Sequence, residues 1–427
     1  MKGLLLEMSV YLDRYAWKDV LFKDPPRNDL AISVVIPCYN ELRITKSLES
    51  LWGCNFSGYS VEVIVIVNEP HTSTEAVRIQ SQKTLKELAQ WSASYNKTRL
   101  RLLFAHSVLP DRHAGVGLAR KIGMDEAARR FESINNTKGV ICGFDADCTC
   151  AENYLTEVYK TFYHSHDGPV GTSIYFEHPL DNLDDDVSIH IAEYELHLRY
   201  YIHALRFANY PYSYQTVGSS MAVNTERYKA IGGMNIRKAG EDFHFLHRLM
   251  NGQKFVNLNT TTVFPSSRLS DRVPFGTGKA MIKHRGSNLE IMTYHNDIFN
   301  ELKYFLSSID ELYQVDPKKT KEWISCFHEA VKDSLLEMDL EAHHARCLKN
   351  SRNHETWKKH MMSVLNGLFI LKFVHYASDQ FFPKLPVTQA AQILAIQCGS
   401  TGLEANVFEL LEHYRNQDRH NSTTTSG

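Results

Sequence analysis

The hydrophobic pattern begins with short unbroken runs rather than alternations. Ala31-Ile32-Ser33-Val34-Val35-Ile36, Val61-Glu62-Val63-Ile64-Val65-Ile66-Val67 and Val140-Ile141-Cys142-Gly143 are apolar and rich in β-branched residues, the signature of strands buried on both faces. Longer stretches of helical period separate them, from Cys38-Tyr39-Asn40-Glu41 to about Trp52, from Ser73 to about Tyr95 and from Gly117 through Arg130. A third strand is predicted over residues 100–105. The alternation βαβαβαβ predicts a parallel sheet with right-handed crossovers. Pro37 is expected to stop the first strand, and Pro25-Pro26 to part it from a helical segment over residues 1–30.

Further along, residues 169–176 read as a strand and residues 187–207 as a helix. The preceding Asp181, Asp184, Asp185 and Asp186 are most simply a helix cap and dipole match. Gly218-Ser219-Ser220-Met221-Ala222-Val223 reads as a short strand, and Gly232-Gly233 as a turn. Gly240-Glu241-Asp242 opens a helix to about Met250, and strands follow at 254–258 and 261–264. Only helical periods remain from Leu289 onward, ending in a Ser/Thr-rich tail expected to be disordered. The predicted organisation is an N-terminal helical segment (1–30), an α/β domain (31–288), a helical C-terminal domain (289–420) and a tail (421–427).

Composition narrows the function. The chain has 427 residues, 43% hydrophobic and 22% charged, with a formal net charge of −2 and a pI near 6.9. Binding of nucleic acid through overall basicity is excluded on these values, so any phosphate binding is local. The eight cysteines are thinly spread, and Cys38 and Cys142 lie in strand-like runs, which fits small hydrophobes in a reducing cytoplasm. Cys148-Thr149-Cys150 lacks the spacing of a zinc site. No run of 18 uncharged apolar residues occurs. Residues 364–377, which include Lys372 and His375, read as a buried amphipathic helix. A membrane span is not expected, while peripheral membrane contact stays open.

The candidate chemistry centres on Asp145-Ala146-Asp147, where the apolar run from Val140 ends in two carboxylates. In an open α/β sheet ligands sit beyond the carboxyl ends of the strands. Extended backbone would lean both side chains to one face. Such hard oxygen donors suit Mg²⁺ or Mn²⁺ shared with a ligand's phosphates; the plain alternative is a solvated strand end. Competing motifs fail. Gly115-Val116-Gly117 has Arg120 where a dinucleotide fingerprint needs glycine, and an EF-hand would need Gly and Glu where Cys150 and Thr156 stand. His284 and His295 are kept as further candidate ligands.

Four pieces in order, Val34-Val35-Ile36-Pro37-Cys38-Tyr39-Asn40-Glu41, Gly115-Val116-Gly117-Leu118-Ala119-Arg120-Lys121-Ile122-Gly123, Asp145-Ala146-Asp147 and Gly240-Glu241-Asp242, resemble the family 2 glycosyltransferases of the GT-A fold. The resemblance covers residues 32–262. It implies a GT-A-like α/β domain with a mostly parallel sheet, a nucleotide-diphosphate sugar as donor (a UDP- or GDP-sugar), a divalent metal at Asp145 and Asp147, and inversion with a carboxylate base. It also implies that Pro37, Asn40, Glu41 and Arg120 lie against the nucleoside, that Asp145 faces ribose and diphosphate, and that Asp242 is the base with Glu241 beside it. Two departures stand out. The family's second strand usually ends in an aspartate that reads the base, where this chain has Asn68-Glu69, and Arg-Asn is replaced by Arg120-Lys121.

Independently of that likeness, transfer from a sugar diphosphate needs a counter-charge for the leaving group, a base for the acceptor hydroxyl and a loop that excludes water. Residues 266–279, with Arg268, Asp271, Arg272 and Lys279 among glycines and serines, are expected to form a lid. Arg268 or Arg272 would clamp the diphosphate there; the alternative is a solvated connector. The acceptor is a saccharide, a lipid-linked or a small-molecule hydroxyl, with Tyr175, Phe176, Tyr194, Tyr200, Tyr201, Tyr210, Tyr212 and Tyr214 as candidate stacking residues. The competing readings are a retaining transferase on the same fold and a non-catalytic nucleotide-sugar-binding module.

Overall fold

The computed structural model describes residues 10–164, 167–181, 183–267 and 290–420. The chain forms two compact units. Unit 1 comprises residues 1–179, 216–282 and 418–427, and unit 2 comprises residues 180–215 and 283–417.

In unit 1 the predicted alternation forms as β1 (Leu30–Cys38), α1 (Ile44–Trp52), β2 (Ser60–Pro70), α2 (Glu75–Tyr95), β3 (Leu100–Leu109), α3 (Val116–Ser133) and β4 (Val140–Gly143). β1 pairs in parallel with β2 and β4, and β2 with β3. Every residue of β1 is buried, as its unbroken apolar run implies. Pro37 does not stop this strand. The Val35 carbonyl accepts from Phe144 on the β4 side, so Pro37, two residues on, turns its missing N–H the same way. β4 has ended at Gly143, opposite Val35, and no ladder bond is lost there.

The sheet continues through β5 (Thr149–Cys150), α4 (Tyr154–Tyr163) and β6 (Gly171–Phe176). After α5 (Asp185–Phe207), which belongs to unit 2, follow β7 (Met221–Asn224), α6 (Thr225–Ala230), α7 (Glu241–Met250) and β8 (Phe255–Phe264). The eight strands run in the order β3-β2-β1-β4-β7-β6-β8-β5. β7 is antiparallel to both its neighbours and β5 is antiparallel to β8. The two strands expected at 254–258 and 261–264 are thus one, β8.

Of the helix expected over residues 1–30, residues 1–9 lie outside the described residues; within 10–30 only residues 10–14 are helical and the stretch from 15 to 29 is irregular. Its backbone is satisfied by α3 instead. Asp125 accepts from the Trp17 amide at 2.8 Å and Glu126 from the Leu21 amide at 3.2 Å, while Arg129 and Arg130 donate to the carbonyls of Trp17 and Asp24.

Unit 2 is helical. α5 packs its buried Leu196, Tyr200 and Ala204 into a core shared with Phe299, Phe305, Trp357, Phe373, Leu394 and Tyr414. The two-residue strands Met292–Thr293 and Leu385–Pro386 pair within it. The amphipathic helix expected over residues 364–377 forms as Gly367–Gln380, with Ile370, Phe373, Val374 and Ala377 buried. Among the described residues no single helix is long and apolar enough to cross a membrane; one bent pair, His354–Val364 with Gly367–Gln380, passes by length and composition alone. All eight cysteines are free.

Candidate active site

After Gly143 the backbone leaves β4 and turns, the Cys148 amide returning to the Asp145 carbonyl at 3.1 Å. Ser47 of α1 pins this turn by donating to the Ala146 carbonyl at 2.8 Å. Asp145 and Asp147 therefore lie in a turn, not on the extended backbone expected, because the chain must reverse for β5 to pair with β8. Both are half-buried.

Arg120 joins this turn to the start of α7. It lies in the first turns of α3 and is only 1% exposed. Nη2 donates to Asp145 Oδ1 at 2.7 Å, and Nη1 donates to Glu241 Oε1. Burial would weaken the guanidinium's hold on its proton, but Asp145, Glu241 and Asp242 outweigh that and raise its pKa. Burial pushes the Glu241 carboxyl up to about 7, Arg120 opposing the rise and Asp242 adding to it. Asn235 fixes the backbone here by donating to the Glu241 carbonyl at 2.7 Å.

Asp242, the next residue, is half-buried. Its Oδ2 accepts from the Gly218 amide at 3.0 Å and its Oδ1 from the Phe243 amide at 2.8 Å. An ionised carboxylate has about four lone-pair sites, so these two bonds orient it and leave room for an incoming hydroxyl. Asp145, Arg120, Glu241 and Asp242 thus converge from three segments far apart in sequence. Gly218, which touches two of these residues, was not singled out from the sequence; its signal was a glycine directly before the short Ser-Ser-Met strand.

The other candidates lie at the carboxyl ends of β1 and β2. Pro37 is buried in β1, and Asn40 follows with φ 46°. Glu41 is buried, its Oε1 accepting from the Arg43 amide at 2.7 Å and its carbonyl from Gln80 at 2.8 Å. Asn68 is buried, and its Oδ1 has no hydrogen-bond partner among the described residues. Glu69 accepts from Ser81 at 2.8 Å and faces His106 Nε2 at 3.2 Å, which ties it to α2 and β3. Arg268, Arg272 and the expected lid lie outside the described residues, apart from 266 and 267, as does His284. His295 is a helix cap, its Nδ1 accepting from the Asp297 amide at 3.1 Å.

Among the described residues no group of three or more His, Cys, Asp or Glu gathers as a metal cage. Asp145 and Asp147 together are a two-carboxylate set, the kind a hard cation completes with phosphate and water.

Residues 33–201 match the model of the glycosyl transferase family 2 domain. No curated protein sequence matches the chain. Among solved structures it is similar to S. aureus TarS residues 1–349 in complex with UDP-GlcNAc, at 15% identity and TM-score 0.41, covering 78% of this chain and 90% of that one. It is also similar to the mannosyltransferase PcManGT from Pyrobaculum calidifontis in complex with GDP-Man and Mn²⁺, at 12% identity and TM-score 0.36, covering 97% and 93%. The family match begins within β1 and takes in α3 and the Asp145–Asp147 turn, so it is over residues 33–201 that the chain carries a family 2 glycosyltransferase domain.

Proposed function

We propose that this enzyme transfers a sugar from a UDP- or GDP-sugar to an acceptor hydroxyl with inversion, using Mg²⁺ or Mn²⁺ held by Asp145 and Asp147 and Asp242 as general base. The observation that carries the reading is the cluster itself: a buried arginine fastens Asp145 to Glu241, beside an aspartate oriented by two backbone amides.

Asp242 takes the proton of the acceptor hydroxyl as its oxygen attacks the anomeric carbon, and the bond to the diphosphate breaks on the opposite face. Glu241 is committed to Arg120 and serves to seat Asp242. The metal, when bound, neutralises the charge that develops on the departing diphosphate. Asp145 and Asp147 are the residues that would hold it. Pro37, Asn40 and Glu41 are proposed to border the nucleoside, with Asn68 and Glu69 at the adjoining strand end, and Arg268 or Arg272 to meet the diphosphate.

Calorimetric titration of UDP and GDP with and without Mn²⁺ tests the donor half. One of the two should bind more tightly with metal, and Asp147→Ala should lose that metal-dependent part while keeping the parent's unfolding midpoint. Equal binding in excess chelator would remove the metal from the account.

A further inference from the structure

Gly218 is where the two sides of the site touch. Its amide donates to Asp242 Oδ2 at 3.0 Å. Its Cα meets the Arg120 guanidinium so closely that a Cβ there would lie 2.5 Å from Nη1 and 2.8 Å from Cζ and Nη2. Its carbonyl packs on Gly143, the last residue of β4 before the Asp145 turn. A Cβ at this position would have to displace the Arg120 guanidinium from the place where arginine, β4 and the Asp242 carboxylate meet.

Two links therefore run between the metal-side turn and the base. One passes from Asp145 through Arg120 to Glu241, the neighbour of Asp242. The other passes from Arg120 by packing onto Gly218 and from there by hydrogen bond to Asp242. We propose that Gly218 and Arg120 form a positioning pair that holds the base Asp242 and the metal carboxylate Asp145 in one fixed relation. The proposal rests on the glycosyltransferase reading above.

Arginine suits this task because its planar fork reaches two carboxylates at once, which a lysine ammonium on a flexible stem does not. Buried and committed on both Nη atoms, it acts through Asp145 and Glu241 and not on the ligand. It also carries a cost: a cation bonded to Asp145 competes with the metal for that carboxylate. The pair gives up metal affinity for geometry, and this opposition separates positioning from mere support of the fold.

The test uses the full chain with Arg120→Gln, Arg120→Lys, Gly218→Ala and the Gly218→Ala/Arg120→Gln double variant. Mn²⁺ affinity is read from the spin-resonance signal of free Mn²⁺, and turnover from nucleoside diphosphate release. Arg120→Gln should bind Mn²⁺ more tightly, by roughly threefold to tenfold for the loss of one cation beside the partly exposed Asp145 carboxylate. It should turn over about 10²-fold more slowly, the scale of an ångström of misplacement. Gly218→Ala should slow turnover comparably, yet add little in the Arg120→Gln background, where the colliding guanidinium is gone. Arg120→Lys, which keeps a cation but not the fork, should slow turnover with Mn²⁺ affinity near the parent's, and it carries the test if Arg120→Gln does not fold. Metal affinity and turnover falling together, or neither changing, in an active parent overturns the positioning pair alone. A parent that releases nucleoside diphosphate from no donor overturns the underlying reading, and the pair with it.

Discussion

Asp242 stands at the second residue of α7 with each oxygen accepting one backbone amide, so its geometry is set by the chain and not by a neighbouring side chain that could swing away. Asn at this position keeps the shape and one acceptor but cannot take a proton. Asp242→Asn should lower kcat by about 10²–10⁴-fold while the affinity for nucleoside diphosphate stays near the parent's. Turnover within about threefold of the parent would place the base elsewhere. At this scale residue type alone singled out Asp145, Asp147, Glu241 and Asp242, and the structure gathers Asp145, Glu241 and Asp242 around Arg120. The sequence was silent on Arg120's partners, because Asp145 and Glu241 lie 25 and 121 positions away from it, and on Gly218, whose role is an absence of side chain.

α3 organises its unit at the level of elements. Arg120 near its start is proposed to serve the site, and Asp125, five residues later, is wholly buried. Asp125 accepts from Tyr11 at 2.6 Å, Tyr228 at 2.7 Å and the Trp17 amide at 2.8 Å, with Lys121 Nζ at 2.9 Å. Tyr11 in turn fills the space where a side chain at Gly233 would be, at φ +69°. Helical period missed this arrangement because α3 buries charged residues as well as apolar ones, so no amphipathic stripe marks the face that holds the N-terminal segment. Asp125→Ala leaves a half-buried ammonium, two phenols and an amide without this acceptor, and should destabilise the unit by about 3–5 kcal/mol, read as a lower urea midpoint. A change below about 0.5 kcal/mol would show the segment is not held through Asp125.

α5, in unit 2, supports a pH prediction. His197 donates or accepts through Nδ1 to Thr293 Oγ1 at 2.8 Å and rests against Tyr294. Burial, helped by the charge of Lys384, pulls its pKa down from 6.5 to about 4. A depressed folded value means the neutral ring contributes stability that is present above pH 6.5 and lost as pH falls through 4. Unit 2 should lose about 1–2 kcal/mol across that window, less than full linkage because the ring is only half-buried. His197→Gln keeps a hydrogen-bonding group, does not titrate there, and should flatten that part of the urea-midpoint profile; an unchanged slope would assign the loss to other groups.

The whole molecule was legible where each strand is a self-contained apolar run followed by its helix, as through β1 to β4. Legibility failed where pairing is set at long range. β7 enters antiparallel between β4 and β6, β5 is two residues long, and residues 180–215 join a unit whose other residues begin at 283. None of these leaves a local periodicity. The turn at Asp145–Cys148 belongs to the same class, since the distant β8 dictates it through β5. The family match and the convergence of Asp145, Arg120, Glu241 and Asp242 support one proposal, that this chain breaks the sugar–diphosphate bond of a nucleotide sugar with help from a divalent cation. The measurement that meets it most directly is release of nucleoside diphosphate from a panel of UDP- and GDP-sugars, with Mn²⁺, with Mg²⁺ and with excess chelator. The account predicts release from at least one donor that stops in chelator; no release from any donor, or undiminished release in chelator, would contradict it.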